Sequence, residues 1–237
     1  MRVLYGITVA AAVALLVPNV SAQMQEVGKA VAGGGIKVAG WQATVDANEA
    51  KAGLTVESAK FVQEGKDIHV TTGPAITYWN PKNVASGNYT VEATFTEKEF
   101  MGINDHPHPY GIVIAGNDLG TPNQTLLYCN AYGNGTFILR GFAPTANGTF
   151  TPGASRRAEK NPAINVAAGK GSPVTQKIAL SVKGDKIECS INGTVVASVD
   201  KASAVGEGKL KSTDGVYGLR FGHNTDAIVS GFTMSKN

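Results

Sequence analysis

The chain has 237 residues, 43% of them hydrophobic and only 16% charged, with a formal net charge of +3 at pH 7. So small an excess argues against a nucleic-acid or acidic-membrane partner. The 29 glycines and the recurrent Thr, Val, Asn and Ala are the composition of a turn-rich β protein, and neither a fixed-period repeat nor a long low-complexity tract interrupts it.

The first segment reads as an address. Arg2 supplies a positive start, residues 3–17 are mostly apolar but short for a membrane span, and Val20 and Ala22 stand at the two positions a signal peptidase reads. Cleavage after Ala22 is expected, which makes residues 1–22 a signal peptide and the mature chain secreted or periplasmic, with no membrane attachment. No Cys follows the cut, which argues against a lipid anchor. Residues 23–40, with Gly33, Gly34 and Gly35, are expected to be a flexible lead into a single domain over residues 41–237, a length that suits one β-sandwich.

One helical turn is expected at 48–52, then short strands at 61–62, 68–71 and 75–79, separated by turn residues at 65–67 and by Gly73 and Pro74. Residues 88–95 alternate cleanly, with Tyr89, Val91, Ala93 and Phe95 on one face and Thr90, Glu92 and Thr94 on the other. Glu97 and Glu99 follow two residues apart, so an extended chain sends both to one side. Paired carboxylates can do general acid–base work on a glycosidic bond, although a charged sheet edge is the simpler role.

Asp105, His106, Pro107 and His108 come next. Two imidazoles at i and i+2 of an extended segment project to the same side and can chelate a metal together with Asp105 or a distant His223. Two histidines with no third ligand nearby in sequence are a weak pattern, and a solvated Pro-containing loop is the favoured reading. No metal or other cofactor is therefore expected, with Ca²⁺ near Asn117 and Asp118 left open and supported by no motif.

Residues 110–114 form an apolar run, and strands at 124–132 and 136–142 flank the hairpin signal Gly133, Asn134 and Gly135. The connection over 147–173 is long, and loops of that length are functional or disordered. Its Arg156 and Arg157 can clamp a carboxylate or sugar hydroxyls, solvated charge being the plainer reading. Strands follow at 176–182, 186–191, 194–199, 215–222 and 227–234. Between the second and third of these, Asn192 and Gly193 can both take positive φ, as a two-residue type I′ turn requires. Ten or eleven strands without a convincing long helix predict an all-β fold, an antiparallel β-sandwich.

Arg140 and Arg220 each interrupt an apolar strand and should point away from the core onto an exposed sheet face. Tyr128, Tyr132 and Trp79 offer stacking surfaces there, with His223 close by in sequence, so a glycan or small saccharide is the expected partner. Cys129 and Cys189 form an even pair. Either they are bridged, which would contribute on the order of 4 kcal/mol by the chain-entropy model, or they are small buried hydrophobes, since Cys189 shares its phase with Ile187 and Ile191. Asn-x-Thr triplets begin at Asn88, Asn123, Asn134, Asn147 and Asn192, and turn geometry accounts for the three with a central Gly.

Gly215, Val216, Tyr217, Gly218, Leu219, Arg220, Phe221, Gly222 and His223, the segment 228–232, and the segment 185–193 with its Ile191, Asn192 and Gly193 resemble the closing strands of concanavalin A-like (laminin G-like) jelly rolls. Within that group the chain is most similar to the secreted bacterial 3-keto-disaccharide hydrolase domains, whose order of elements is matched by Trp41, residues 108–113 and the hairpin at 133–137. The resemblance spans roughly residues 41–234 and implies a jelly-roll fold and a glycan-related role. It carries over no catalytic residue. Sandwich glucanases of the laminarinase type carry Glu-x-Asp-x-x-Glu on one strand, and Glu97, Lys98, Glu99, Phe100, Met101 and Gly102 supply no third carboxylate.

Three readings stand: a carbohydrate-binding sandwich without assigned catalysis, a glycoside hydrolase with Glu97, Glu99, Asp105, His106 and His108 as its candidate residues, and a structural envelope protein that assembles through edge strands. Convergence of Glu97, Glu99, His106, His108, Arg140 and His223 in one pocket would favour the enzyme, and scatter would favour binding or structure.

Overall fold

A computed structural model describes Met1 and residues 28–145, 148–153 and 157–237. The leader and its expected cleavage point lie outside these residues. The strands are β1 (Gly35–Ile36), β2 (Gln42–Val45), β3 (Lys60–Glu64), β4 (Asp67–Thr71), β5 (Ile76–Ala85), β6 (Tyr89–Glu97), β7 (Tyr110–Asn117), β8 (Thr125–Ala131), β9 (Thr136–Phe142), β10 (Thr149–Phe150), β11 (Glu159–Lys160), β12 (Val174–Lys183), β13 (Lys186–Ile191), β14 (Thr194–Asp200), β15 (Gly215–Phe221) and β16 (Asp226–Lys236). Two short α-helices, α1 (Ala47–Lys51) and α2 (Lys201–Ala204), and a 3-10 turn (Val56–Ser58) complete the elements of the described residues.

The strands form two sheets, ordered β1-β3-β4-β16-β6-β12-β13-β14 and β10-β9-β8-β7-β15-β5-β2, with β11 also pairing β9. Every pairing is antiparallel except the short parallel pair of β1 with β3. Strands close in sequence, such as β12 to β14, form meanders, while β16 returns to lie between β4 and β6. This is the antiparallel jelly-roll sandwich.

Alternation builds the core between the sheets. Tyr89, Val91, Ala93 and Phe95 of β6 point inward with Ile178, Leu180 and Val182 of β12, and meet Tyr110, Ile112 and Ile114 of β7 and Leu219 and Phe221 of β15. Cys129 of β8 and Cys189 of β13 are both fully buried and are joined across the sandwich, with their Cα atoms 6.2 Å apart.

Three local features depart from the sequence expectation. β5 runs on through Pro81 to Ala85 instead of stopping near residue 79. Pro81 lies where the register against β15 shifts, a place where its missing N–H costs no ladder bond. Part of the segment expected to be a flexible lead is instead laid along the first sheet, with the Gly35 N–H donating to the Ala59 carbonyl at 2.7 Å. The connection over 147–173 contributes the short strands β10 and β11, both paired with β9.

Candidate functional site

The outer face of the second sheet carries apolar residues of its own. Val113, Leu126, Tyr128 and Ile138 pack there with Leu119, Tyr132 and Phe142, so β8 is buried on both faces. Above this floor lies a cleft of about 920 Å³, bounded on one side by residues 44–49 and on another by residues 143–145, 148 and 149. Asn130, Tyr132, Arg140, Arg220, His108 and His223 all line it.

Arg220 is the largest correction. It does point away from the core between the sheets, but it is buried rather than exposed, at 6% relative accessibility. Its guanidinium donates to both carboxylate oxygens of Asp46, at 2.8 and 2.5 Å, and to Thr77 Oγ1 at 3.0 Å. It also stacks 5.0 Å from the Tyr128 ring centroid and 4.6 Å from that of Phe142. Burial alone would lower its proton affinity, but the Asp46 carboxylate outweighs this and raises it. Arg220 and the buried Tyr128 are thus structural parts of the floor. Arg140 and the half-buried Tyr132 remain as cleft-lining groups, and burial against Tyr128 raises the Tyr132 phenol above its ordinary pKa. Trp79 is buried at 5% and does not line the cleft.

The two carboxylates weighed for catalysis are separated. Glu97 continues the inward phase of β6 and is buried at 4%, whereas Glu99 sits in the turn that follows and is exposed. Burial pushes the Glu97 carboxyl up to about 7, partly offset by the nearby Tyr110 hydroxyl. Neither residue lines the cleft. Asp105 points to solvent and pairs with Lys170 at 2.5 Å, which with the attendant charge holds its carboxyl below its ordinary pKa. Asp118, weighed for Ca²⁺, forms an ion pair with Lys211, and the Asn117 amide donates to the Ala115 and Asp214 carbonyls. Arg156 lies outside the described residues, and Arg157 is exposed.

The histidines behave differently. The ring centroids of His106 and His108 lie 4.4 Å apart, and that of His223 lies 4.3 Å from His108. Gly222 permits the approach: its N–H donates to the Pro109 carbonyl at 2.7 Å, and a Cβ there would meet Pro109 Cδ at 2.6 Å. His223 Nδ1 lies 2.9 Å from Glu49 Oε1, while Glu49 Oε2 accepts the Gly28 N–H at 3.0 Å. Burial, reinforced by the two neighbouring imidazoles, pulls His108 down to about 3, so it is neutral at physiological pH.

Sequence reasoning missed Asp46, Glu49 and Asn130. Asp46 and Glu49 each meet a partner 174 residues away, and no local pattern announces such a pairing. Asn130 was legible in principle, since alternation from Tyr128 puts it on the same face.

No family model matches the sequence, and none of the curated proteins matches it. Among solved structures, a galectin-like-fold protein of unknown function from Bacillus subtilis is similar at a TM-score of 0.54 and 13% identity, over 83% of this chain and 89% of the other. An endo-1,3-β-glucanase from Streptomyces sioyaensis gives 0.53 and 12% over 86% and 91%. The carbohydrate-binding module CBM66 from Bacillus subtilis gives 0.51 and 13% over 83% and 96%. These likenesses establish the concanavalin A-like, galectin-like jelly roll as the fold.

Proposed function

We propose that this is an exported carbohydrate-binding protein that takes a saccharide in the cleft on the outer face of the second sheet. The observation that carries this reading is the lining itself. A cleft of about 920 Å³ that sets Arg140 and the edge of Tyr132 above a largely apolar floor offers hydrogen-bond partners for hydroxyls beside surface for a sugar face. That both a carbohydrate-binding module and a glucanase use the same fold supports the reading. The apolar segment at residues 3–17 and the paired cysteines support a site of action outside the cytoplasm.

Two-carboxylate hydrolysis is the less favoured alternative. Glu97 and Glu99 are outside the cleft, and the carboxylates that do border it, Asp46 and Glu49, are engaged by Arg220 and His223. The test is a glycan panel that includes 3-keto-glycosides, with binding and product release recorded together. Binding without turnover is expected, weakened about tenfold or more by Arg140→Ala or Tyr132→Ala at unchanged near-UV circular dichroism. Turnover would move the assignment to the hydrolase reading, and binding untouched by both substitutions would refute the cleft as the site.

A further inference from the structure

We propose that His106, His108 and His223 form a binding site for a divalent transition-metal ion at the end of the cleft, with coordination positions left open toward it. Each of the three offers a ligand nitrogen, and these atoms lie within 4.8 Å of one another. Metal–imidazole bonds are about 2.0–2.1 Å long, so two ligand nitrogens on one tetrahedral ion are about 3.4 Å apart. The set therefore closes with a shift of up to about 1.4 Å at its widest pair, most of it by side-chain rotation at His106, on the exposed end of the cluster.

Two further observations point to an ion rather than to a chance packing of rings. His223 is held through Nδ1 by Glu49, and its Nε2 is buried with no hydrogen-bond partner among the described residues. A histidine fixed by a carboxylate on one nitrogen while presenting the other is the arrangement that orients metal-bound imidazoles. Glu49 is itself held by the Gly28 N–H, so the orienting group is anchored in turn. The second observation is the identity of the set. Three imidazoles without a carboxylate among the ligands suit zinc, cobalt, nickel or copper and not Ca²⁺ or Mg²⁺, which take oxygen ligands.

His108 needs one adjustment. The Asn104 side-chain amide nitrogen lies 2.8 Å from His108 Nε2 and occupies that nitrogen as a donor. Ligation requires the amide to withdraw, or to turn its oxygen toward an Nε2–H so that Nδ1 faces the ion. Three protein nitrogens leave positions for water or a ligand atom, as in open rather than closed metal sites. His108 and His223 line the same cleft as Arg140 and Tyr132, so those positions face the space described above, but the metal site stands whether or not that space takes a saccharide.

The test uses the full-length mature chain, freed of any affinity tag and stripped with chelator, titrated calorimetrically with Zn²⁺ and followed in parallel by the visible spectrum of Co²⁺. One ion per chain with a dissociation constant in the micromolar range or tighter is expected, with a d–d spectrum of low coordination number. His106→Ala, checked for folding by near-UV circular dichroism, should weaken binding by about a hundredfold, and Glu49→Gln should weaken it by roughly ten- to a hundredfold. His223→Asn, checked for folding by near-UV circular dichroism, should abolish it. Failure of the untagged chain to bind stoichiometrically, or binding that survives both His106→Ala and His223→Asn, would overturn the site. Ca²⁺ competing on equal terms with Zn²⁺ would do so as well.

Discussion

Arg220 is a charged side chain almost shut off from water, and Asp46 is what makes that tolerable. Removing one partner of a buried ion pair leaves the other charge uncompensated, which costs about 3–5 kcal/mol. Asp46→Ala should therefore lower stability by that order in urea unfolding, and adding Arg220→Met should restore much of it. A single variant within about 1 kcal/mol of the parent would show that Thr77 and the two rings suffice. Glu97 makes the opposite case. Its folded-state pKa of about 7, raised above the ordinary 4.5, means that the folded chain holds the proton more tightly than the unfolded chain. The stabilisation is thus present in full below the unfolded value and is lost as pH rises toward 7. The swing is on the order of 3 kcal/mol, at about 1.4 kcal/mol per pH unit. Glu97→Gln, which cannot ionise, should flatten stability between pH 5 and pH 8 and make the protein more stable than the parent at pH 8. Parallel pH profiles for the two proteins would contradict the assignment.

The β13–β14 hairpin shows how far a local pattern reaches. Asn192 and Gly193 sit at φ 51° and 84°, the two consecutive positive values that the type I′ reading requires. The Asn192 side chain also accepts the Lys177 N–H and donates to Ala163 and Gln176, so it ties the turn to β12 and to the long connection. Asn192→Ala should cost about 2 kcal/mol, combining a poorer left-handed residue with lost hydrogen bonds, and Gly193→Ala about 1 kcal/mol, both measurable as shifts in thermal midpoint. Hairpin turns, the alternation of β6 and the single turn of α1 were legible because each is decided by residues within a few positions of one another. The fate of Glu97 was legible too: the inward phase of Tyr89, Val91, Ala93 and Phe95 reaches it two residues on, while the turn after it removes Glu99 from that face. The exposure assigned to Arg220 failed for the converse reason. Alternation gives the face of a strand, but whether that face meets water depends on Asp46 and on the segment that carries it across the sheet. The gathering of His223 with His106 and His108 likewise depends on β7 and β15 being neighbours, which is a fact of topology.

Across the whole molecule, the Cys129–Cys189 bridge ties one sheet to the other over a separation of 60 residues. By the chain-entropy model its removal costs on the order of 4 kcal/mol, which for a chain of this size corresponds to a fall in Tm of about 10 °C. Differential scanning calorimetry with and without a reductant that reaches the bridge would check this, and an unchanged Tm after confirmed reduction would contradict it. The export reading has its own measurement. Expressed with its own leader in a bacterial host, the protein is expected in the periplasm or medium with Gln23 at its N-terminus, and an intact mass there that retains residues 1–22 would rule out the cleavage.

The position of that bridge also divides the cleft into a fixed part and a yielding part. Cys129 is flanked on β8 by Tyr128 and Asn130, which alternation turns to the opposite side of the sheet, so the covalent bolt through the core lies directly beneath two residues of the cleft floor. The floor therefore behaves as an anvil. Any accommodation to an incoming molecule falls to the bordering residues 46–49 and 143–145, which carry no crosslink and reach the floor through contacts such as the Asp46–Arg220 ion pair.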